Sequence, residues 1–398
     1  MHIPLNTSTF GDEEIESAIE VLRSGRVTMG ARCVDFEADF EAYLGGREAV
    51  FVNSGSSANL LAFFALANHA APIMGRRRFA PGAEVIVPAV SWSTTIWPII
   101  QCGAVPVLVD SDPLTLQMDL DQMRAALTDK TFAVCPVHVL GNTVAMDEVL
   151  AFAQAHDLWV IEDTCEALGA KFDGRLAGSF GDVSTFSFFF SHHMTTIEGG
   201  MVTTSNPELA ELFRCLRAHG WTRNLKQRQQ IEKQHPDIDP RFLFVNTGFN
   251  LRPTEINAAF GRIQLRKLGS FNERRAAIAK EWTSRFRQMT DDGWFYPMAP
   301  VAGAEMAHFG FPVICKDADT CEALQRRLEA HSIETRPIIC GNMARQPAFA
   351  HIPHRVAGTL RGADRIMERG VLWGLHPMMS GLEVEFVSEV VVGLGVQV

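Results

Sequence analysis

Two adjacent histidines, His192 and His193, lie in the segment FSFFFSHHMTTIEGG at residues 186–200. An imidazole has an ordinary pKa near neutrality and can take up or release a proton, but it does not form the imine by which a lysine amine binds an aldehyde. No lysine occurs between Lys171 and Lys226, so the neighbouring sequence supplies no side-chain amine that could form such an imine. The segment is therefore a candidate for proton transfer without covalent attachment of a carbonyl compound, and the commoner alternative is a histidine with a purely structural role.

A second candidate is SGSSAN at residues 54–59, which precedes the apolar helical run Leu60 to Ala67. Gly55 and Ser56 would present backbone N–H groups and a hydroxyl at a helix N-terminus, and such an arrangement binds phosphate. A serine-glycine turn that merely caps a helix is the commoner alternative.

Asp163 ends the apolar run LWVIED, where burial of a carboxylate is costly unless it meets a cation such as a protonated pyridine nitrogen. The alternative is a carboxylate that caps the following turn. Glu166, three residues later, could face the same cleft. Trp92 follows another apolar run and could stack on a planar ring, although a core tryptophan is the alternative.

The elements that must position these residues alternate between short β-branched runs and helical patterns from about Glu84 to Thr204, which is typical of parallel strands joined by crossover helices. A helix is predicted over Met146 to His156 from the spacing of its apolar residues. Ligands gather beyond the carboxyl ends of parallel strands, so residues just after a strand are the first functional candidates. The predicted strands are Glu84 to Pro88, Val105 to Asp110, Phe132 to Val137, Trp159 to Asp163, Val183 to Phe188 and Met201 to Thr204.

After Pro253 the sequence predicts a long helix to about Met289. Strand, helix and strand signals then follow, which indicate a smaller C-terminal α+β domain. We expect a large α/β domain over residues 1–252 and a connecting helix with the small domain over residues 253–398. The polar stretch Lys226 to Pro240 is the best candidate for a mobile loop. The predicted elements of the small domain are Phe309 to Cys315, Thr320 to His331 and Ile333 to Ile338.

Composition argues against several function classes. The net charge of -10 and the pI near 5.7 argue against nucleic-acid or membrane-surface binding, because both need clustered basic residues. The apolar windows are broken before they reach membrane-spanning length and the N-terminus lacks a secretory pattern, so we expect a cytoplasmic protein. The eight cysteines are scattered without a C-x-x-C pair, so no metal or iron-sulfur site is expected.

The segment at residues 186–200 resembles the Schiff-base segment of the DegT/DnrJ/EryC1/StrS sugar aminotransferases, which reads roughly F-S-F-x-x-x-K-x-x-x-x-x-E-G-G. Counting back six residues from Glu198 places His192, and not His193, at the position of the lysine. The resemblance spans nearly the whole chain. Its other elements are VTMG from Val27, AHGWTRNL from Ala218, NTGFNLRPTE from Asn246, IETRPIICGN from Ile333 and VLWGLHP from Val371.

This resemblance implies the fold-type I, aspartate aminotransferase-like architecture of transferases that depend on pyridoxal phosphate (PLP), with PLP or pyridoxamine phosphate (PMP) bound non-covalently. The implied roles fall into three groups. Gly55, Ser56 and Ser187 hold the cofactor phosphate, Asp163 pairs with the pyridine nitrogen, Trp92 stacks on the ring, and Glu166 faces the same cleft. Asn250 reaches the neighbouring subunit's cofactor phosphate in a homodimer with shared sites. His219, Arg223, Glu334 and Arg336 line the site of a nucleotide sugar.

The implied reaction uses L-glutamate to convert PLP to PMP and then removes the C3 hydroxyl of a nucleotide-linked 4-keto-6-deoxy sugar, with release of ammonia. His192 would be the base and then the acid. GDP-4-keto-6-deoxymannose is the expected substrate. The alternatives are a CDP- or dTDP-linked hexose, as used by iron-sulfur 3-dehydratases, a GDP-linked heptose, a non-catalytic binding homologue and an ordinary aminotransferase. His193 has no assigned role.

Overall fold

The alternating strand and helix signals form an α/β structure, which a computed structural model describes over residues 1–396. The α-helices of this range are α1 (Asp12–Ser24), α2 (Ala31–Tyr43), α3 (Gly55–Leu66), α4 (Ser93–Gln101), α5 (Leu120–Ala125), α6 (Met146–Ala155), α7 (Pro207–Arg217), α8 (Arg228–Gln234), α9 (Glu255–Arg285), α10 (Arg287–Asp291), α11 (Ala318–Ala330), α12 (Arg361–Arg369) and α13 (Gly381–Val392). The strands are β1 (Glu48–Val52), β2 (Glu84–Pro88), β3 (Val105–Val109), β4 (Thr131–Val134), β5 (Trp159–Asp163), β6 (Lys171–Phe172), β7 (Arg175–Leu176), β8 (Val183–Ser187), β9 (Gly200–Thr204), β10 (Phe295–Pro297), β11 (Ala304–Glu305), β12 (Phe311–Cys315), β13 (Thr335–Arg336), β14 (Arg355–Val356) and β15 (Gly370–Trp373).

The large sheet has eight strands in the order β1-β9-β8-β5-β4-β2-β3-β14. Five of its seven neighbouring pairs are parallel, and only β9 runs against its two neighbours. The carboxyl ends of β1, β2, β5 and β8 therefore share one edge. The predicted α/β class with a mostly parallel sheet is confirmed.

All six predicted strands of the large sheet are present with ends shifted by three residues or fewer, and the predicted helix over Met146 to His156 is α6. Two strands of the sheet were not predicted, β1 and β14. The second of these, Arg355–Val356, pairs in parallel with β3, so part of the C-terminal region completes the edge of the large sheet.

The small C-terminal sheet has the order β10-β12-β15-β13 and packs against α9, α11 and α13. Aromatic side chains form the centre of this packing: the rings of Trp282 and Phe311 lie 5.3 Å apart, and those of Phe311 and Trp373 lie 5.1 Å apart. A third sheet, β11-β6-β7, joins residues 304–305 to the large domain. The division at residues 252/253 stays a prediction.

Two predicted segments differ in detail. The long helix ends at Arg285, and a separate short helix follows Phe286. The polar stretch Lys226 to Pro240 contains α8, which buries none of its residues. Within residues 1–396, no helix is both long and apolar enough to cross a membrane.

Glu255, the first residue of α9, closes the N-terminus of α2. Its buried carboxylate accepts hydrogen bonds from the backbone N–H groups of Gly30 at 2.8 Å, Arg32 at 2.9 Å and Cys33 at 2.9 Å. Burial by itself raises the pKa of Glu255, but these hydrogen bonds outweigh it and hold the pKa below its usual value. One carboxylate thus satisfies N–H groups that have no partner within α2.

We expect Glu255→Gln to lower the free energy of unfolding by about 1–3 kcal/mol at pH 7, because an amide nitrogen then faces backbone donors. Denaturant unfolding measures this, with Glu385→Gln at an exposed position of α13 as the matched control. Since the folded-state pKa of Glu255 is lowered, its contribution is present above the unfolded-state pKa and is lost as pH falls through the folded-state pKa. The difference between wild type and variant should therefore shrink in acid, and equal stabilities at pH 7 would contradict the capping role.

Candidate active site

The carboxyl ends of the strands open into a cavity of about 820 Å³. Its wall is built from the large sheet, the N-termini of α3 and α4, and residues at β13 of the small C-terminal sheet. It contains nine residues that the sequence indicates as functional: Gly55, Ser56, Trp92, Asp163, Glu166, Ser187, His192, Glu334 and Arg336. No lysine lines this cavity within residues 1–396.

The first turn of α3 lies directly against β8. Ser54 caps the helix by accepting a hydrogen bond from the N–H of Ser57 at 3.0 Å. A Cβ atom on Gly55 would lie only 2.5 Å from the Cβ of Ser187, so this close approach requires glycine. The arrangement places a helix N-terminus beside a serine hydroxyl, which suits a phosphate group.

Asp163 lies at the carboxyl end of β5 and is 3% exposed. Its Oδ2 accepts hydrogen bonds from Asn59 Nδ2 at 3.0 Å and Thr95 Oγ1 at 2.8 Å, while Oδ1 accepts one from the N–H of Cys165 at 3.1 Å. Thr185 donates to the Asn59 side-chain oxygen at 2.6 Å and so fixes the orientation of that amide. The carboxylate is held toward the cavity and can pair with a ring N–H of a bound molecule.

Glu166 is a second carboxyl group in the cavity wall. Its Oε2 accepts a hydrogen bond from the N–H of Leu140 at 3.1 Å, and Leu140 adopts a left-handed conformation with φ 51°. Burial raises the pKa of Glu166 to about 7, and the negative charge of Asp163 adds to this rise. Glu166 can therefore hold a proton near neutral pH, unlike an ordinary glutamate.

Trp92 precedes α4 and is 54% exposed, so it is not the core tryptophan that the sequence also allowed. Two residues later the hydroxyl of Thr94 is 2.9 Å from that of Ser56, which joins the first turns of α4 and α3. The indole therefore lies at the cavity wall, where it can cover a planar ligand.

His192 lies in the irregular connection between β8 and β9, which we call the histidine loop (residues 188–199). Its Nδ1 has no hydrogen-bond partner among the described residues. The Phe309 ring meets its imidazole edge to face, with ring centres 5.0 Å apart. Burial, with the positive charge of Arg275 as a second cause, lowers the pKa of His192 to about 4. The imidazole is thus neutral at pH 7 and available to accept a proton.

One face of α9 supports the histidine loop. Asn257 Nδ2 donates to the Thr196 carbonyl at 2.7 Å, and Gln264 Oε1 accepts from the N–H of Thr195 at 3.2 Å. Arg275 donates to the carbonyl of His193 at 3.3 Å. Because these three helix residues are seven and eleven apart, they lie on the same side of the helix.

Glu334 and Arg336 do not pair with each other, although the sequence allowed that explanation. Glu334 accepts a hydrogen bond from the N–H of Leu5 at 3.2 Å and lies 3.7 Å from His2. Arg336 donates to the carbonyl of Thr335 at 2.8 Å and is otherwise exposed at the cavity wall. Arg336 therefore retains donors for an anionic ligand.

Three predicted residues, His219, Arg223 and Asn250, lie outside the main cavity of their own chain. All three are exposed, and the residue before His219 forms an antiparallel bridge with Asn250. Arg223 lies over the Trp221 ring at 5.1 Å and lines a separate cavity of about 470 Å³.

Several residues of the site were not predicted. Asn59 carried a usable signal, because it is a polar residue at the start of an apolar helix, and Thr95 lies in the STT sequence after Trp92. Arg275 and Phe309 gave no local signal, since their roles depend on contacts with the distant histidine loop.

The fold and this cavity define a sugar aminotransferase-like protein. The sequence pattern of the DegT/DnrJ/EryC1/StrS aminotransferase family matches residues 8–392, and the chain belongs to that family.

The similarities extend to particular members. The chain is 38% identical over 382 residues to the GDP-4-keto-6-deoxy-D-mannose 3-dehydratase of Yersinia pseudotuberculosis, covering 94% of each chain. It is 36% identical over 389 residues to the dTDP-4-dehydro-2,6-dideoxy-D-glucose 3-dehydratase of Saccharopolyspora spinosa, covering 94% of this chain and 82% of that one. A solved GDP-4-keto-6-deoxymannose-3-dehydratase with a trapped PLP-glutamate geminal diamine has a TM-score of 0.90 at 35% identity, covering 98% of this chain and 100% of that one.

Proposed function

We propose that this protein is a glutamate-dependent 3-dehydratase that acts on a nucleotide-linked 4-keto-6-deoxy sugar, with PLP and PMP as the non-covalently bound cofactor. The observation that carries this proposal is His192, a neutral imidazole at the position of the family's lysine, in a cavity that no described lysine lines. Six other residues that the family resemblance implies for the cofactor line the same cavity, and this favours an enzyme that binds the cofactor over a homologue that has lost it: Gly55, Ser56, Trp92, Asp163, Glu166 and Ser187.

The residues of the cavity fit the cofactor. Gly55, Ser56 and Ser187 form a narrow cradle at a helix N-terminus that suits its phosphate, and Asp163 supplies the buried carboxylate that a protonated pyridine nitrogen needs. Trp92 can cover the ring, and Glu166 lies in the same wall. When bound, the cofactor supplies an electron sink that stabilises negative charge on an adjacent carbon.

His192 would act as the proton carrier. Its neutral imidazole takes a proton from carbon and then gives it to the C3 hydroxyl as that group leaves. A pKa of about 4 keeps the base form available, but a more basic imidazole would accept the proton more readily. The phosphate groups of the cofactor and substrate bring negative charge into the site, and this raises the pKa of a nearby histidine.

The nucleotide is proposed as GDP, on the basis of the 38% identity to a GDP-sugar dehydratase. The dTDP-sugar relative at 36% identity makes dTDP the direct competitor. The eight cysteines are scattered along the sequence without a C-x-x-C pair, which favours the glutamate-dependent reaction over one that needs an iron-sulfur cluster.

We also propose a homodimer with shared active sites. His219, Arg223 and Asn250 are exposed and do not line the cavity of their own chain, as expected if they serve the partner's cavity. Asn250 would contact the partner's cofactor phosphate, while His219 and Arg223, together with Glu334 and Arg336, would bind the nucleotide sugar. A cytoplasmic location remains a prediction.

Incubation with PLP, L-glutamate and GDP-4-keto-6-deoxymannose should give the 4-keto-3,6-dideoxy sugar nucleotide. Mass spectrometry should show the loss of one oxygen, with ammonia and 2-oxoglutarate formed in amounts equal to the product. CDP- and dTDP-linked hexoses and a GDP-linked heptose form the comparison panel. Product formed without glutamate consumption would disprove the proposed reaction. A faster reaction with the dTDP-linked sugar would show that the substrate carries dTDP and not GDP.

His192→Lys should lose dehydration by at least about a hundredfold, because an ammonium or an imine replaces the proton carrier. The new amine can bind the cofactor aldehyde covalently. Borohydride reduction followed by intact-mass spectrometry should therefore show a retained cofactor in the variant and none in wild type. His192→Asn, which supplies neither a base nor an amine, is the control that should show neither dehydration nor covalently retained cofactor. Dehydration by His192→Lys at the wild-type rate would refute the role of His192.

Two inactive variants should complement each other if the sites are shared. Mixed dimers of His192→Asn and Asn250→Ala contain one site with both substitutions and one site with neither. After random subunit exchange at equal amounts, activity should recover to about a quarter of wild type. Native mass spectrometry with one mass-labelled variant verifies the exchange. Exchange without recovery of activity would show that each site is built from one chain.

A further inference from the structure

His193, next to the proposed base, is almost completely buried at 1% exposed. Its Nε2 donates a hydrogen bond to the carbonyl of Ala307 at 2.8 Å, and since a carbonyl only accepts, the proton must be on Nε2. Burial and then the charge of Arg275 hold the pKa of His193 well below its usual value, so the ring is neutral. A neutral, buried donor in this position acts as a fixed tether.

The segment that His193 holds, residues 307–309, is attached to the cavity wall on its other side. The N–H of Ala307 donates to the carbonyl of Gly141 at 2.9 Å, and the N–H of Phe309 donates to that of Leu140 at 3.3 Å. Gly141 has φ 90°, and a Cβ there would lie 1.6 Å from the Ala307 oxygen, so only glycine permits this approach. Leu140 in turn donates to Glu166. The segment therefore joins the histidine loop to the turn beside Glu166.

Phe309, at the end of this segment, is the aromatic wall of the proposed base. Its ring centre lies 5.0 Å from that of His192 at an interplanar angle of 86°, and 5.6 Å from that of His193. An apolar ring in edge-to-face contact limits the rotation of the imidazole and excludes water from one side of it.

We infer that His193 is a positioning residue for the proposed reaction: its Nε2–H···O bond to Ala307 fixes Phe309 against His192, and this orients the imidazole and shields one side of it from water. This inference rests on the proposed function for its catalytic meaning, but the tether itself is a property of the folded chain. The other charged or titratable groups near His192 are Arg275 of α9, His308 beside Phe309, and the cavity-wall groups Asp163, Cys165, Glu166, Glu198, Glu334 and Arg336.

The test follows the titration of His192 by NMR with 15N-labelled histidine, assigned by the loss of its signals in His192→Asn. In wild type with neither cofactor nor substrate added, the midpoint should lie at about 4. In His193→Phe, which fills the space but cannot donate, Phe309 is released and water enters, so the midpoint should rise by at least about one unit toward the ordinary value near 6.5. In His193→Gln, whose amide can donate to Ala307, the midpoint should stay near that of wild type.

Kinetics supply a second readout. His193→Phe should lower kcat at least about tenfold, with KM for the sugar nucleotide changed less than about twofold, because the base is misplaced but the substrate contacts remain. The neutral imidazole is present above its pKa and is lost as pH falls through it. The acid limb of the pH profile should therefore move to higher pH in the variant.

Phe309→Leu removes the aromatic wall while the tether remains, and it should also raise the His192 midpoint. If His193→Phe does not fold, Phe309→Leu alone tests whether contact with Phe309 sets the titration midpoint of His192. An unchanged His192 midpoint in Phe309→Leu, or in a folded His193→Phe, would overturn the inference. Because the titration needs no turnover, an inactive wild type would disprove the proposed function without affecting this result.

Discussion

The buried carboxylate of Asp163 constrains the architecture of the site more than any other single group. Removing an ion from water costs several kcal/mol, and the cost is met only when donors surround the charge. Here the donors come from three elements: Asn59 on α3, Thr95 on α4 and the backbone of Cys165 after β5. Thr185, the partner of Asp163 in the register of β5 and β8, orients the Asn59 amide. The same carboxylate therefore joins α3 and α4 to the end of β5.

The histidine loop is irregular, so the regular hydrogen bonds of a helix or sheet do not satisfy its backbone N–H and carbonyl groups. Ordering each residue of such a loop costs about 1–2 kcal/mol in conformational entropy. Hydrogen bonds from helix α9 to the loop backbone offset this entropy cost. They are made by the side chains of Asn257, Gln264 and Arg275. The same helix packs Trp282 against the small C-terminal sheet. The position of His192 is thus set by a helix that also packs against the small C-terminal sheet.

These two constraints explain which features could be predicted from the sequence. The inner strands are continuous β-branched runs because both of their faces are buried, and the residues after them are exposed to ligands by the topology of a parallel sheet. Asp163 and Trp92 are predicted because each lies at or after the end of an apolar run. His192 is predicted from its spacing to Glu198 in a motif. Strand β14 has only two residues and was missed, since its strand state comes from pairing with β3 and not from a local pattern.

The supporting contacts of the site were not predictable for a related reason. Arg275 lies 83 residues from His192 along the chain, and a charged residue in a long helix gives no sign of the backbone carbonyl that it will meet. Likewise, α8 has no apolar face from which a helix could be inferred, and it lies within the stretch predicted as a loop. Local pattern identifies residues that carry chemistry, whereas the groups that orient them are selected by tertiary packing.

The charge of the cavity bears on the proposed dimer. Its wall carries four carboxyl groups, those of Asp163, Glu166, Glu198 and Glu334, but Arg336 is its only arginine or lysine side chain among residues 1–396. Glutamate carries two carboxylates, and a nucleotide sugar carries a diphosphate, so both proposed substrates bring negative charge to a wall that is already acidic. The N-termini of α3 and α4 supply partial positive charge only near the cofactor phosphate. An exposed arginine such as Arg223, brought to this cavity by a partner, would supply the missing cation, so charge balance independently favours a site that two chains build together.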